Sequence, residues 1–224
     1  MAWACLFSGG KDSTLALHKA FENGIKVELL ITMRSANPES YMFHYPNIEY
    51  TKLQAEALNI KQVMYDTKGV KEKELDDLEK ALKENNVSGV VTGATYSEYQ
   101  ASRVNTIADR LGIEHFAPLW HIDPIKELNE LSERYNAIIT AVSAEGLDSS
   151  FLGERIDYKM IKKLENVNRR FGINMLFEGG EAETFVLDAP LFRKRVIVKN
   201  AKKEYSNFRG MYIIENAVLA DKEA

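Results

Sequence analysis

The segment "AWACLFSGGKDSTLALHKAF", residues 2–21, decides the fold. Ala2-Trp3-Ala4-Cys5-Leu6-Phe7 is a short unbroken apolar run, the pattern of a strand covered on both faces. Thr14, Leu17, His18 and Phe21 then share one face at helical spacing, and Gly24 marks the helix end. The joint between them reads Ser8-Gly9-Gly10-Lys11-Asp12-Ser13. A strand that turns into a helix through two glycines presents backbone N–H groups at a helix N-terminus, which is an anion site. The glycines admit a phosphate close to the backbone. Ser8 and Ser13 offer hydroxyl donors, and Lys11 offers a point charge. The string is not a Walker A loop: Cys5 stands where that motif needs glycine, and Asp12 follows Lys11 where it needs Ser or Thr. It is not Gly-x-Gly-x-x-Gly either.

Outward from this joint the alternation repeats. Strands are expected at residues 25–35, 60–67, 88–94 and 113–120. Helices are expected between them: one N-capped by Asn47 over residues 48–59, one carrying Leu75, Leu78 and Leu82, and one carrying Ala101, Val104, Ala108 and Leu111 before Gly112. Strands separated by helices of ten to fifteen residues imply a doubly wound, mostly parallel five-stranded α/β sheet. After Trp120 the rhythm changes. A helix near residues 124–134 leads into "NAIITAVSA", a second helix carries Met160, Leu164, Val167 and Phe171, and "RKRVIVKN" and "GMYIIENAVLA" read as antiparallel strands. The expected division is a nucleotide-binding domain over residues 1–121 and a smaller α+β domain over residues 122–224.

Composition narrows the classes. The chain has 224 residues, 45% of them hydrophobic, enough for a sizeable core. A net charge of −4 gives no global field that gathers nucleic acid, and none is expected as a direct partner. A single cysteine, Cys5, excludes a disulfide framework and a Cys-x-x-Cys pair. No apolar run spans a bilayer, and the start is too short for a signal h-region. A soluble cytoplasmic protein is expected, and a homo-oligomer is compatible with the sequence. The basic stretches "KMIKKLENVNRR" and "RKRVIVKNAKK" read as a solvated helix and a solvated strand edge.

"SGGKDS" resembles the Ser-Gly-Gly-x-Asp-Ser loop of the PP-loop ATP pyrophosphatases, which cut ATP between the α and β phosphates. Four further strings narrow the resemblance: "MFHYPN", "GATYSEYQASRV", "RLGIEHFAPLW" and "EGGEAETFVLDAPLF". Together with the loop they resemble the diphthine–ammonia ligase family across nearly the whole chain. That resemblance implies ATP and Mg²⁺ as cofactors, ammonium as nitrogen source and elongation factor 2 as the protein substrate. It implies adenylation of the diphthine carboxylate, then displacement of AMP by ammonia. Two other functions compete: a PP-loop enzyme that modifies tRNA, and a non-catalytic ATP- or AMP-binding module.

The candidate residues divide into three sets. The loop supplies the nucleotide contacts Ser8, Gly9, Gly10, Lys11, Asp12 and Ser13, with Lys11 and Asp12 catalytic; Asp12 either holds Mg²⁺ or fixes the loop. Gly93 and Ala94 close the fourth strand, where small residues let a base or ribose lie on the backbone, and Met33 can flank adenine or pack in the core. The substrate set is His44, Tyr96, Arg103, Glu178, Glu181, Glu183 and Asp188. Arg103 points to the phosphates or to a carboxylate of the elongation factor. The acidic residues around Gly179-Gly180 form a cluster whose members raise one another's pKa and hold ammonium or a methylated ammonium. Glu183 is the expected catalytic member, serving either ammonium or the quaternary ammonium of diphthine, with Tyr96 or Trp120 as an aromatic face.

Overall fold

The computed structural model describes residues 2–36, 47–70, 73–96 and 98–222, with backbone only for residues 98–100. It divides into two compact units: residues 1–8 with 12–121, and residues 9–11 with 122–224.

In the first unit five strands form one all-parallel sheet: β1 (Trp3–Leu6), β2 (Val27–Ser35), β3 (Lys61–Thr67), β4 (Gly89–Val91) and β5 (Glu114–Phe116). The order is β3-β2-β1-β4-β5. The helices are α1 (Lys11–Glu22), α2 (Thr51–Leu58), α3 (Lys73–Glu84) and α4 (Glu98–Leu111). Right-handed crossovers put α1 and α2 on one face of this sheet and α3 and α4 on the other. The core under α3 and α4 gathers alternate residues of β2, Leu29, Ile31 and Met33, against Leu78, Leu82, Val104 and Ile107. Parallel strands buried on both faces explain why "VELLITM" shows no polar alternation.

Three local details differ from the sequence reading. Asn47 does not cap α2. It sits in the left-handed region at φ 66°, its side chain makes no cap bond, and a 3₁₀ turn (Ile48–Tyr50) intervenes before α2. β5 ends at Phe116, before Pro118, which has no N–H to extend a ladder. The Cβ-less Gly93 leaves the end of β4 for a reason given below.

In the second unit β6 (Asn136–Val142), β7 (Ala182–Asp188), β8 (Lys194–Ser206) and β9 (Arg209–Asp221) form an antiparallel sheet of order β7-β6-β9-β8. Two helices accompany it. Asp123 N-caps α5 (Pro124–Arg134) by accepting a hydrogen bond from Lys126 N at 2.9 Å. Asp157 does the same for α6 (Tyr158–Phe171) from Met160 N, and α6 buries Met160, Ile161, Leu164 and Val167. β8 and β9 run as a long hairpin through Asn207 and Phe208, both at positive φ, as a two-residue turn between twisted strands requires. β7 was not legible as a strand; its sequence reads as an acidic turn followed by apolar residues. Among the described residues no helix is long and apolar enough to cross a membrane.

Candidate active site

In a sheet of order 3-2-1-4-5 the chain leaves β1 and β4 in opposite directions, and ligands lie outside the carboxyl ends of the strands at that switch point. The loop of residues 8–13 follows β1, and Gly93 follows β4. The backbone there is tightly made. Gly9 has φ 78°, a region that favours glycine. Ser8 Oγ lies 3.1 Å from Ser13 Oγ, and Ser8 N donates to Ser13 Oγ at 3.3 Å, so the two hydroxyls converge across the turn. A Cβ on Gly93 would lie 2.7 Å from the carbonyl carbon of Asp12 and 2.8 Å from Ser13 N. Gly93 therefore keeps the end of β4 against the first turn of α1. Its lack of a Cβ is required for this backbone approach to the loop. Ala94 is buried beside it.

The centre of the loop differs most from expectation. An exposed, cationic loop is predicted, yet Gly9, Gly10 and Lys11 are buried. Lys11 is 1% exposed, and its Nζ lies 3.2 Å from Oε1 of Glu127 on α5, itself fully buried. The ammonium is thus engaged in an ion pair with a buried carboxylate. Lys11 N donates to Thr184 Oγ1 at 3.0 Å, and Gly9 O accepts from Val186 N at 2.9 Å, both residues of β7. Sequence reasoning missed Glu127 and Thr184. Glu127 carried a signal: it stands four residues before Leu131 and next to Leu128, inside the apolar stripe of α5, where a carboxylate needs a partner. Thr184 carried none.

The predicted site residues separate. Met33 is 4% exposed and belongs to the core, as the same-face spacing with Leu29 and Ile31 requires. His44 lies outside the described residues. Tyr96 is 40% exposed and stacks on His121 at 5.4 Å between ring centroids, and Trp120 lies 4.8 Å from the same ring. The backbone holds this aromatic group together, His121 N donating to Thr95 O at 2.9 Å. Arg103 lies in a groove of about 410 Å³ between α3 and α4, which Lys73, Asp76, Glu79 and Arg110 also line.

The acidic cluster is taken apart. Glu181 accepts from Asn174 N at 2.9 Å and Gly179 N at 2.8 Å, so its carboxylate pins its own turn. Asp188 pairs with Lys222 at 2.7 Å and accepts from Ala189 N. Glu178 is half-buried in the turn before β7. Glu183 is half-buried on β7 opposite Ala141 and adjoins Thr184; by strand alternation its side chain leaves from the opposite face of β7.

Two further groups are chemically defined. Burial pushes the Cys5 thiol far above its ordinary pKa. His115 bridges Thr92 Oγ1 at 2.8 Å and Asn105, and burial holds its imidazole below the usual value.

A Ser-Gly-Gly-x-Asp-Ser loop at the switch point of a 3-2-1-4-5 parallel sheet defines the PP-loop class of nucleotide-binding folds. The diphthamide synthase N-terminal domain matches residues 1–115, and the diphthamide synthase C-terminal domain matches residues 123–220. Diphthine–ammonia ligases from Homo sapiens and Bos taurus are 33% and 34% identical over 226 residues, each match covering 90% of this chain and 84% of the relative. The Schizosaccharomyces pombe diphthine–ammonia ligase is 30% identical over an alignment of 239 positions that covers 97% of this chain and 39% of that protein. The chain belongs to the diphthamide synthase family, and it is a ligase.

Proposed function

We propose that this ligase uses ATP to convert diphthine on elongation factor 2 to diphthamide, taking its nitrogen from ammonium. A carboxylate oxygen of diphthine attacks the α-phosphorus of ATP, the α–β bond breaks, and pyrophosphate leaves. Ammonia then attacks the acyl carbon, the bond to AMP breaks, and the amide remains. The observation that carries this reading is the converging Ser8 and Ser13 hydroxyls at the N-terminus of α1, at the switch point of the sheet. The names of the relatives support the substrate.

In this reading Ser8, Ser13 and the backbone of Gly9 and Gly10 hold the phosphates, with the N-terminal dipole of α1 behind them. Among the described residues no three His, Cys, Asp or Glu side chains gather as a metal cluster. A Mg²⁺ ion accompanying ATP would be held chiefly by phosphate oxygens and water with a single carboxylate. Asp12, on the loop, is that carboxylate; the ion supplies charge balance on the phosphates. Glu183 acts in the second step, taking the proton of ammonium or pairing with the quaternary ammonium of diphthine. Sulfur transfer to tRNA is disfavoured because the one thiol, Cys5, is buried and protonated.

The test is product analysis with purified enzyme, ATP, ammonium and diphthine-bearing elongation factor 2. AMP and pyrophosphate should appear in step with amide. ADP and phosphate as products overturn the reading.

A further inference from the structure

The loop's central residues, 9–11, belong to the second unit and are held within it at three points: Lys11 Nζ by Glu127, Lys11 N by Thr184, and Gly9 O by Val186 N. Each grip acts on a different atom of a three-residue stretch. Lys11 is the first residue of α1, so its N–H is one of the helix-terminal donors without an intrahelical acceptor. Thr184 Oγ1 satisfies it. The ammonium is removed from water and placed against a fully buried carboxylate, which is tolerable only when the pair stays intact.

We infer that Glu127 and Thr184 are positioning residues of the ATP loop, and that Lys11 serves as the loop's anchor rather than as a cation on the nucleotide. The inference rests on the reading of residues 8–13 as the ATP site. It gives a reason for lysine at the variable place of the Ser-Gly-Gly-x-Asp-Ser string: the side chain pairs with Glu127 and fixes residues 9–11, between the two serines. It also separates the two charges of the loop. The charge of Lys11 is spent on Glu127, which leaves Asp12 as the charge the loop can offer to a ligand.

The experiment compares ATP binding by calorimetry in the full chain and three variants, with circular dichroism to check the fold. Lys11→Met leaves Glu127 buried without its partner and should weaken ATP binding at least tenfold. The double variant Lys11→Met/Glu127→Met removes both charges together, and a buried pair replaced by apolar residues of similar volume is usually tolerated. It should bind ATP at least tenfold more tightly than Lys11→Met. A folded double variant that binds no better than the single one overturns the anchor, because the ammonium then acts on the nucleotide itself. Should the double variant fail to fold, Thr184 decides. Thr184→Val touches no charge and should weaken ATP binding about tenfold while lowering the melting temperature by only a few degrees, with Thr184→Ser restoring both. Wild-type affinity in Thr184→Val overturns the positioning role. Amide hydrogen exchange separates this from a failure of the ATP reading. If the wild type binds no ATP, the ATP reading falls, while faster exchange of the Lys11 amide in Thr184→Val still reports the anchor. Unchanged exchange there refutes it.

Discussion

Gly93→Ala is the sharpest test of how the loop is built. The added Cβ would stand 2.7 Å from Asp12 C, 2.8 Å from Asp12 O and 2.8 Å from Ser13 N, whereas ordinary contact begins at 3.4 Å. All three obstacles are backbone, so no side chain can swing aside. Either β4 or the first turn of α1 must retreat by about 0.7 Å. Overpacking of this kind costs about 1–3 kcal/mol. In a chain of this size each kcal/mol lowers the melting temperature by about 2–4 °C. The fold should survive with a modest drop. Function should suffer more, since the displaced atoms carry Asp12 and Ser13, and a misplacement near 1 Å costs about 100-fold in rate. Thermal melts and AMP release measured on one preparation therefore give a diagnostic pair. Turnover should fall roughly 10- to 100-fold, while the unfolding midpoint falls by less than about 12 °C. A Gly93→Ala enzyme with wild-type turnover would show that the approach of β4 to the loop does not position it.

Other expectations follow from single groups. Glu183→Gln should retain ATP binding and lose amide formation; high ammonium at raised pH rescues it if Glu183 serves ammonium, and loss of both steps together refutes the separation. Cys5 should resist thiol reagents in the folded protein and react on unfolding, because its thiol is buried and held protonated; rapid labelling without unfolding contradicts this. Burial depresses the imidazole of His115 below its usual 6.5, so the unfolded chain takes up a proton that the folded one refuses. Its contribution to stability is complete above about pH 6.5 and is lost as pH falls from there through the folded-state value. The stability profile of His115→Gln should be flatter below pH 6.5, and identical slopes would dismiss the effect.

The parallel sheet was legible because β1 and β4 are short apolar runs, β2 is mostly apolar, and helices that bury one stripe each separate the strands. Those signals are local, and the loop between Phe7 and Thr14 announces itself by composition. The acidic segment misled because residue type does not say which partner a carboxylate meets. Glu181 takes two backbone N–H groups of its own turn, and Asp188 takes a lysine 34 positions away in sequence. β7 was hidden because its buried Thr184 and half-buried Glu183 interrupt the alternation a strand should show. Glu127 and Thr184 were out of reach for a simpler reason: their meaning depends on Lys11, 116 and 173 residues away.

That separation also sets a clock. A ribosome adds about 5–20 residues per second, so Thr184 is made roughly 10–35 s after Lys11. Once β5 is made, and until Thr184 follows, the nascent first sheet has its strands and helices, yet the turn between its two serines lacks the hydroxyl that helps to hold it. Nucleotide affinity should therefore arrive late in synthesis, when β7 emerges and pairs with β6, and a growing chain should pass its early life without drawing on the ATP around it.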